Sequence, residues 1–162
     1  ISFTTGIDAT YKAYKFVFVN INPATDSVGF QFNMSTDGGS NYNVTKTTTA
    51  VRAIHDEADT YTDLLYITAG DLAQSTAYQL LSVGLIGNVA DESCSGTLTL
   101  FNPSSTTYVK HFISNCQLYT HDNYSYNGLV AGYGNTTSAV NAIRFQMSSG
   151  NFDGTIYMYG IK

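Results

Sequence analysis

Ala139–Lys162 reads AVNAIRFQMSSGNFDGTIYMYGIK, and its alternation decides the fold class. Ile143, Phe145 and Met147 alternate with Arg144, Gln146 and Ser148, the period of two expected of a strand that buries one face. Ser149-Gly150-Asn151 and Asp153-Gly154 follow, residue types that tolerate the positive φ of tight turns. Thr155 to Ile161 alternates again, with Ile156 and Met158 on one face and Tyr157 and Tyr159 on the other. Two such runs joined by a Gly/Asn/Asp loop predict a β-hairpin. A core strand followed only by Lys162 predicts a domain that closes without a C-terminal tail.

Upstream, the same pattern recurs. Tyr14 to Ile21 (YKFVFVNI) is apolar on both faces, which predicts a central strand covered on both sides. Val28, Phe30, Phe32 and Met34 alternate with Gly29, Gln31, Asn33 and Ser35, predicting a half-buried strand. Val44 to Ala50, Val51 to His55 and Leu64 to Thr68 read as further strands. Asp71 to Gln79, with Leu72, Thr76 and Leu80 at spacing four, is the one place where a helical turn is expected. Leu80 to Ile86 reads as a buried strand closed by Gly87-Asn88. Gly96 to Phe101 and Tyr108 to Asn115 predict a second hairpin around Asn102-Pro103-Ser104-Ser105. Gln117 to Tyr133 is polar and tyrosine-rich, with strand expected at Leu129-Val130-Ala131. About ten short strands at this spacing, without βαβ alternation, predict one all-β domain over residues 1–162, an antiparallel β-sandwich of jelly-roll type. Phe30, Phe32, Leu98, Ile143, Phe145, Met147 and Ile156 are the expected core.

Composition agrees. The 162 residues include 13 Tyr, 9 Phe, 14 Gly and no Trp, and charged residues make up only 12%. That is about half the usual share, so Ser, Thr and Asn must supply the polar surface. A net charge of -5, from 7 basic and 12 acidic residues, opposes binding to phosphate backbones, so no nucleic-acid partner is expected. No apolar run is long enough for a membrane span, and no charged segment followed by an apolar one opens the chain as a signal peptide does. The start at Ile1 predicts a processed protein or the C-terminal part of a longer chain. Cys94 and Cys116, the only cysteines, are expected to be buried and reduced, which excludes a disulfide scaffold.

Chemistry-bearing motifs are few. His55, Asp56, Glu57, Asp59 and Asp63 form the one dense acidic cluster. They lack the spacing of a calcium loop and read as a solvated turn. His111, His121, Cys94 and Cys116 offer no close ligand pair for zinc. No nucleophile elbow, phosphate loop or dinucleotide fingerprint occurs. No enzyme, cofactor or metal is therefore expected. Four N-x-S/T triplets, at Asn33, Asn43, Asn123 and Asn135, are chance in a chain this rich in Asn and Thr. Tyr119, His121, Asp122, Asn123, Tyr124, Tyr126, Asn127 and Tyr133 form the candidate contact region. Tyrosine offers stiff amphipathic area, and aromatic faces with Asn and Asp suit a glycan or a neighbouring subunit.

The stretch SAVNAIRFQMSSGNFDGTIYMYGIK from Ser138 resembles the C-terminal signature of a family of β-sandwich domains from virion structural proteins of marine tailed bacteriophages. STDGGSNY (Ser35–Tyr42) and LFNPSS (Leu100–Ser105) resemble other stretches of that family, so the likeness spans most of the chain. Ser35–Tyr42 also resembles the Asp-box of sialidase-like and other β proteins, in which Asp37 would cap its own turn. No catalytic residue defines the phage family. The resemblance implies a location and a fold class: a capsid-decoration or tail-fibre domain on the virion surface. It implies a homo-oligomer, commonly a trimer, set among other virion proteins and in reach of a host surface glycan. A carbohydrate-binding, lectin-like module of a secreted protein is the alternative.

Overall fold

Every regular element is a strand. The computed structural model describes residues 1–162, with β1 (Ser2–Phe3), β2 (Ala13–Pro23), β3 (Phe30–Ser35), β4 (Lys46–Asp56), β5 (Thr62–Tyr66), β6 (Gln79–Leu80), β7 (Cys94–Phe101), β8 (Lys110–Tyr119), β9 (Tyr124–Gly134), β10 (Ala142–Met147) and β11 (Phe152–Ile161). They form two antiparallel sheets, one in the order β1-β10-β3-β6 and the other in the order β11-β2-β7-β8-β9-β4-β5. The expected all-β antiparallel sandwich is what the chain forms. Jelly-roll connectivity, two nested Greek keys, is not established by this order, because β7, β8 and β9 are consecutive neighbours within one sheet.

Phe145 is the hub between the sheets. Its ring centroid lies 5.2 Å from Phe16 and 5.1 Å from Phe18 in the larger sheet. Within its own sheet it lies 6.2 Å from Phe3, 6.0 Å from Phe30 and 6.3 Å from Phe32. The edge-to-face and offset geometries are those aromatic quadrupoles favour. Phe30, Phe32, Leu98, Ile143 and Met147 are buried around it as expected. Ile156 is the exception, only half-buried, because β11 is an edge strand.

The C-terminal hairpin is not formed. β10 pairs with β1 and β3 in the small sheet, whereas β11 pairs with β2 in the large one. The connection crosses from sheet to sheet, with Ala24 N–H donating to the Asn151 carbonyl at 2.8 Å. Gly150 takes φ +71° where a β-carbon would collide with Thr25. Alternation specifies which face a strand buries, and it is silent on whether the neighbour in sequence is also the partner.

Other corrections have similar causes. β2 is covered on one face only: Tyr14, Phe16 and Phe18 are buried, while Val19 is 38% exposed. In β3, Asn33 and Ser35 are buried as well as the apolar positions. The two runs from Val44 and Val51 are one continuous strand, β4. Asp71–Gln79 forms no helical turn. Its backbone serves the edge of β4 instead, with Lys46 and Ser75 exchanging hydrogen bonds and Thr48 N–H donating to Leu72. Leu80–Ile86 pairs only at its ends, through β6 and the Val28–Ile86 bridge. Between them Val83 adopts φ +50°. The polar run after Gln117 is mostly strand, since β8 and β9 pair along their whole lengths. The hairpin of β7 with β8 is present as expected. Cys94 and Cys116 are free and fully buried.

Lys46 points into the interior with no carboxylate to meet it. Its Nζ donates to Asn33 Oδ1 at 2.6 Å and to the Val44 carbonyl at 2.8 Å. Burial brings its pKa down from 10.5 to about 7. Between those values the unfolded chain holds a proton that the folded chain has released, so stability from this group rises with pH.

Two outcomes are expected. Phe145→Ala should cost about 3–5 kcal/mol in urea unfolding, and a cost near zero would mean that the hub does not join the sheets. Lys46→Met should lose the gain in stability that the wild type shows between pH 7 and pH 10.5. Parallel curves for the two proteins would contradict the buried lysine's role.

Candidate functional site

The period of two divides the expected contact region across the large sheet. Tyr119, Asn127 and Tyr133 sit at positions facing away from the core, opposite Ser125, Gln117 and His111 respectively. Tyr124 and Tyr126 share the inward face with the buried Leu118 and Val130. His121, Asp122 and Asn123 belong to the β8–β9 turn, where Asn123 takes φ +63°. The eight residues therefore contribute to two surfaces.

The first is the open outer face of the seven-stranded sheet. One cross-strand row runs Tyr157, Val17, Thr97, Asn115, Leu129, Val51 and Tyr66, one residue from each strand. A second runs Tyr159, Lys15, Thr99, Ile113, Ala131 and Thr49. A third carries Ile161, Ala13 and Phe101 at one side and His111, Tyr133 and Thr47 at the other. Lys15 is the only Lys, Arg, Asp or Glu in the three rows. Ile113 (50%), Leu129 (44%), Tyr157 (49%) and Tyr159 (53%) are among the most exposed large side chains of the molecule. Around the small Ala131 the face dips into a depression of about 470 Å³ walled by Phe101, His111, Ile113 and Tyr133.

The second surface is the end of the sandwich where the β4–β5 and β8–β9 turns meet. Asn123 offers its carbonyl to the Glu57 N–H at 3.3 Å, tying the turns together. Thr120 is buried and holds the β8–β9 turn, its hydroxyl accepting from Tyr124 N–H at 3.2 Å. Tyr61, Tyr124 and Tyr126 stand in series, with centroids 6.3 Å and 5.7 Å apart. The Arg52 guanidinium lies 4.1 Å over the Tyr126 ring and donates from Nη1 to the Val83 carbonyl at 2.8 Å. Gly84 comes so close to Tyr126 that a β-carbon would sit 2.6 Å from the ring. A hollow of about 180 Å³ opens between Arg52, Leu85, Thr120, His121, Asp122 and Tyr126. Two further hollows continue it around the sheet end, first past Asp122 and Tyr124, then past Asp56 to Tyr119.

Sequence reasoning passed over Arg52, Tyr61 and Leu85. Arg52 left a trace: it occupies an inward position of β4, between the buried Ala50 and Ile54, where an apolar residue is the rule. The outer face left a trace too, in the apolar residues on both faces of β2.

Most other polar groups are committed to their own turns. Asp37 accepts from Ser35 Oγ at 2.7 Å, from Asn41 N–H at 2.9 Å and from Asn41 Nδ2 at 2.8 Å. The Ser35 hydroxyl, then the Asn41 amide and N–H, hold its carboxyl down at about 2. Tyr42, the aromatic of that turn, lies under Arg144 with 4.0 Å from guanidinium to ring. Asp56 accepts from Thr60 and Tyr61 N–H, each at 2.8 Å. His55 pairs with Asp59 at 3.1 Å on the surface. Comparison with family models, with curated proteins and with solved structures gives no match to this chain.

Asp37 has a depressed carboxyl, so its contribution is present above its ordinary 3.8 and is lost as pH falls through about 2. Asp37→Asn should flatten the fall of melting temperature across that acid range. An unchanged acid limb would show that the turn does not depend on the charge.

Proposed function

We propose that this chain is a non-enzymatic structural module, held in an assembly through the outer face of its large sheet. The observation that carries this reading is the set of three charge-poor rows. They span roughly 30 by 20 Å, about 600 Å² of mixed surface, in which Thr47, Thr49, Thr97, Thr99, Asn115, His111 and Lys15 stand among the aliphatic and tyrosine side chains. A stable interface needs about 800 Å² from each partner, which the rows and the ends of the same strands supply. Uncharged aliphatic and tyrosine side chains are what interface cores contain. The carboxylates of Asp37 and Asp56 cap turns and both thiols are buried, so these four groups are engaged in holding the fold.

The setting is a tailed-bacteriophage virion, as a capsid-decoration or tail-fibre domain on the particle surface. The resemblance carried by Ser35–Tyr42, Leu100–Ser105 and Ser138–Lys162 supports this. The partner in the assembly is a second copy of the chain, with the trimer as the stoichiometry that resemblance implies. Neutral rows suit self-association, because like charges would otherwise be set face to face. A carbohydrate-binding module of a secreted protein is the alternative, favoured by the tyrosine series beside Arg52 at the sandwich end.

Light scattering on the purified chain is the test. The wild type should form a multiple of its 17.6 kDa mass, and Ile113→Glu with Leu129→Glu should return it to the single-chain mass without lowering its melting temperature. A wild type of 17.6 kDa across the micromolar range would sink the structural reading.

A further inference from the structure

Four strands lie at sheet edges, β1 and β6 in the small sheet and β5 and β11 in the large one, and three of them are blunted. β1 and β6 are two residues each. In β5, Asp63 occupies an inward position opposite Ile54, and its Oδ1 takes the Leu64 N–H, an amide of the free edge, at 2.7 Å. Short strands, inward charges and engaged amides are means by which a sheet refuses a further strand. β11 has none of them between Thr155 and Ile161: that stretch contains no Pro and no charged residue, and the bulge at Gly154 precedes it. The bond from Asn102 N–H to the Lys12 carbonyl sets the ladder of β2 with β7, so Ala13, Lys15, Val17 and Val19 turn their backbone groups toward β11. Ile161, Tyr159, Tyr157 and Thr155 answer them. Ile156, Met158 and Gly160 therefore direct N–H and C=O away from the sheet, and no group of the chain bonds to them. Gly160 stays exposed although Tyr11 packs against its inner side.

We infer that β11 pairs antiparallel with β11 of a second copy across a two-fold axis at Met158. Of the two-fold registers only this one pairs all three outward residues among themselves, Met158 with Met158 of the second copy and Ile156 with its Gly160. Each such pair exchanges two hydrogen bonds. On the outer face Tyr157 then stands opposite Tyr159 of the second copy, and Tyr159 opposite its Tyr157, at the closer, non-bonded spacing. Within one chain these two rings already stand side by side, with centroids 6.2 Å apart, so four tyrosines meet. Aromatic cross-strand pairs of this kind are favourable. No like charges oppose one another: Lys162 falls opposite Gly154 of the second copy, next to its Asp153. The paired stretch presents an edge of about 24 by 10 Å, near 240 Å², well short of the roughly 800 Å² a stable dimer takes from each partner. The edge contact is therefore secondary. It links copies already concentrated in an assembly, and it extends the outer face as one sheet from copy to copy.

Cysteine trapping reads the register. Tyr157→Cys and Tyr159→Cys chains, mixed in concentrated solution under a mild oxidant, should give at least about tenfold more disulfide-linked dimer than either chain alone. Opposed positions bring the two β-carbons within disulfide reach, and diagonal ones do not. Cys94 and Cys116 are buried and stay reduced. The same preference should persist when both chains also carry Ile113→Glu and Leu129→Glu, which remove the outer-face association, so the two contacts stand or fail separately. Met158→Pro removes an outward N–H and spares the ladder with β2, so it should abolish the cross-link in a chain that still melts cooperatively. Should that variant unfold, the mixture and the outer-face background decide by themselves. No excess of dimer in the mixture, loss of the excess in the outer-face background, or its survival in folded Met158→Pro chains would each overturn the proposal.

Discussion

The aromatic cluster around Phe145 is the contact on which the two sheets depend. Rings from β1, β2, β3 and β10 meet there, and no hydrogen-bond ladder links the sheets to one another. Phenylalanine suits this duty because each ring buries a large area and locks its neighbours by orientation as well as by volume. The cluster also decides what is left over. Four strands face seven, so the small sheet covers only part of the large one.

What the small sheet leaves uncovered is closed by irregular chain. Ser82, Val83 and Gly84 lie over Gly128 and Tyr126 of β9, where a β-carbon at Gly128 would meet Val83 at 2.9 Å. The Arg52 bond to Val83 fixes this cover from below. The same overhang produces the end hollow, since the inward row of β4 and β9 continues past the aromatic core into Arg52, Tyr126 and Tyr124. On the opposite face of the large sheet Gln74 reaches only the margin, donating to Thr47, and Ile113, Leu129, Tyr157 and Tyr159 stay exposed. One mismatch in strand number thus yields both an open face and an end cleft.

Much of this was legible from side-chain period alone. Phe30, Phe32, Phe145 and Met147 read as core because strict alternation leaves a strand no other way to bury them. The β7–β8 hairpin was legible because Asn102-Pro103-Ser104-Ser105 has turn chemistry of its own. Partner choice was not legible: β10 and β11 alternate correctly yet join different sheets, since the period carries no information about which sheet a face belongs to. The division of Tyr124 and Tyr126 from Asn127 and Tyr133 was implicit in the even and odd numbering of one strand. It emerged only once Gln117–Tyr133 proved to be continuous strand. Arg52 was hidden because a single inward charge in a Thr-rich strand has no pattern around it. Its meaning comes from Tyr126, which is distant in sequence.

The central claim is that the outer sheet face is an interface, and hydroxyl-radical footprinting of the tyrosines reads it most directly. Tyr66, Tyr133, Tyr157 and Tyr159 lie on that face, whereas Tyr108, 68% exposed, lies off the strands. In concentrated protein these four tyrosines of the three rows should be protected relative to dilute protein, with Tyr108 oxidised equally in both. Oxidation of Tyr157 and Tyr159 at the rate of Tyr108 at every concentration would contradict the account.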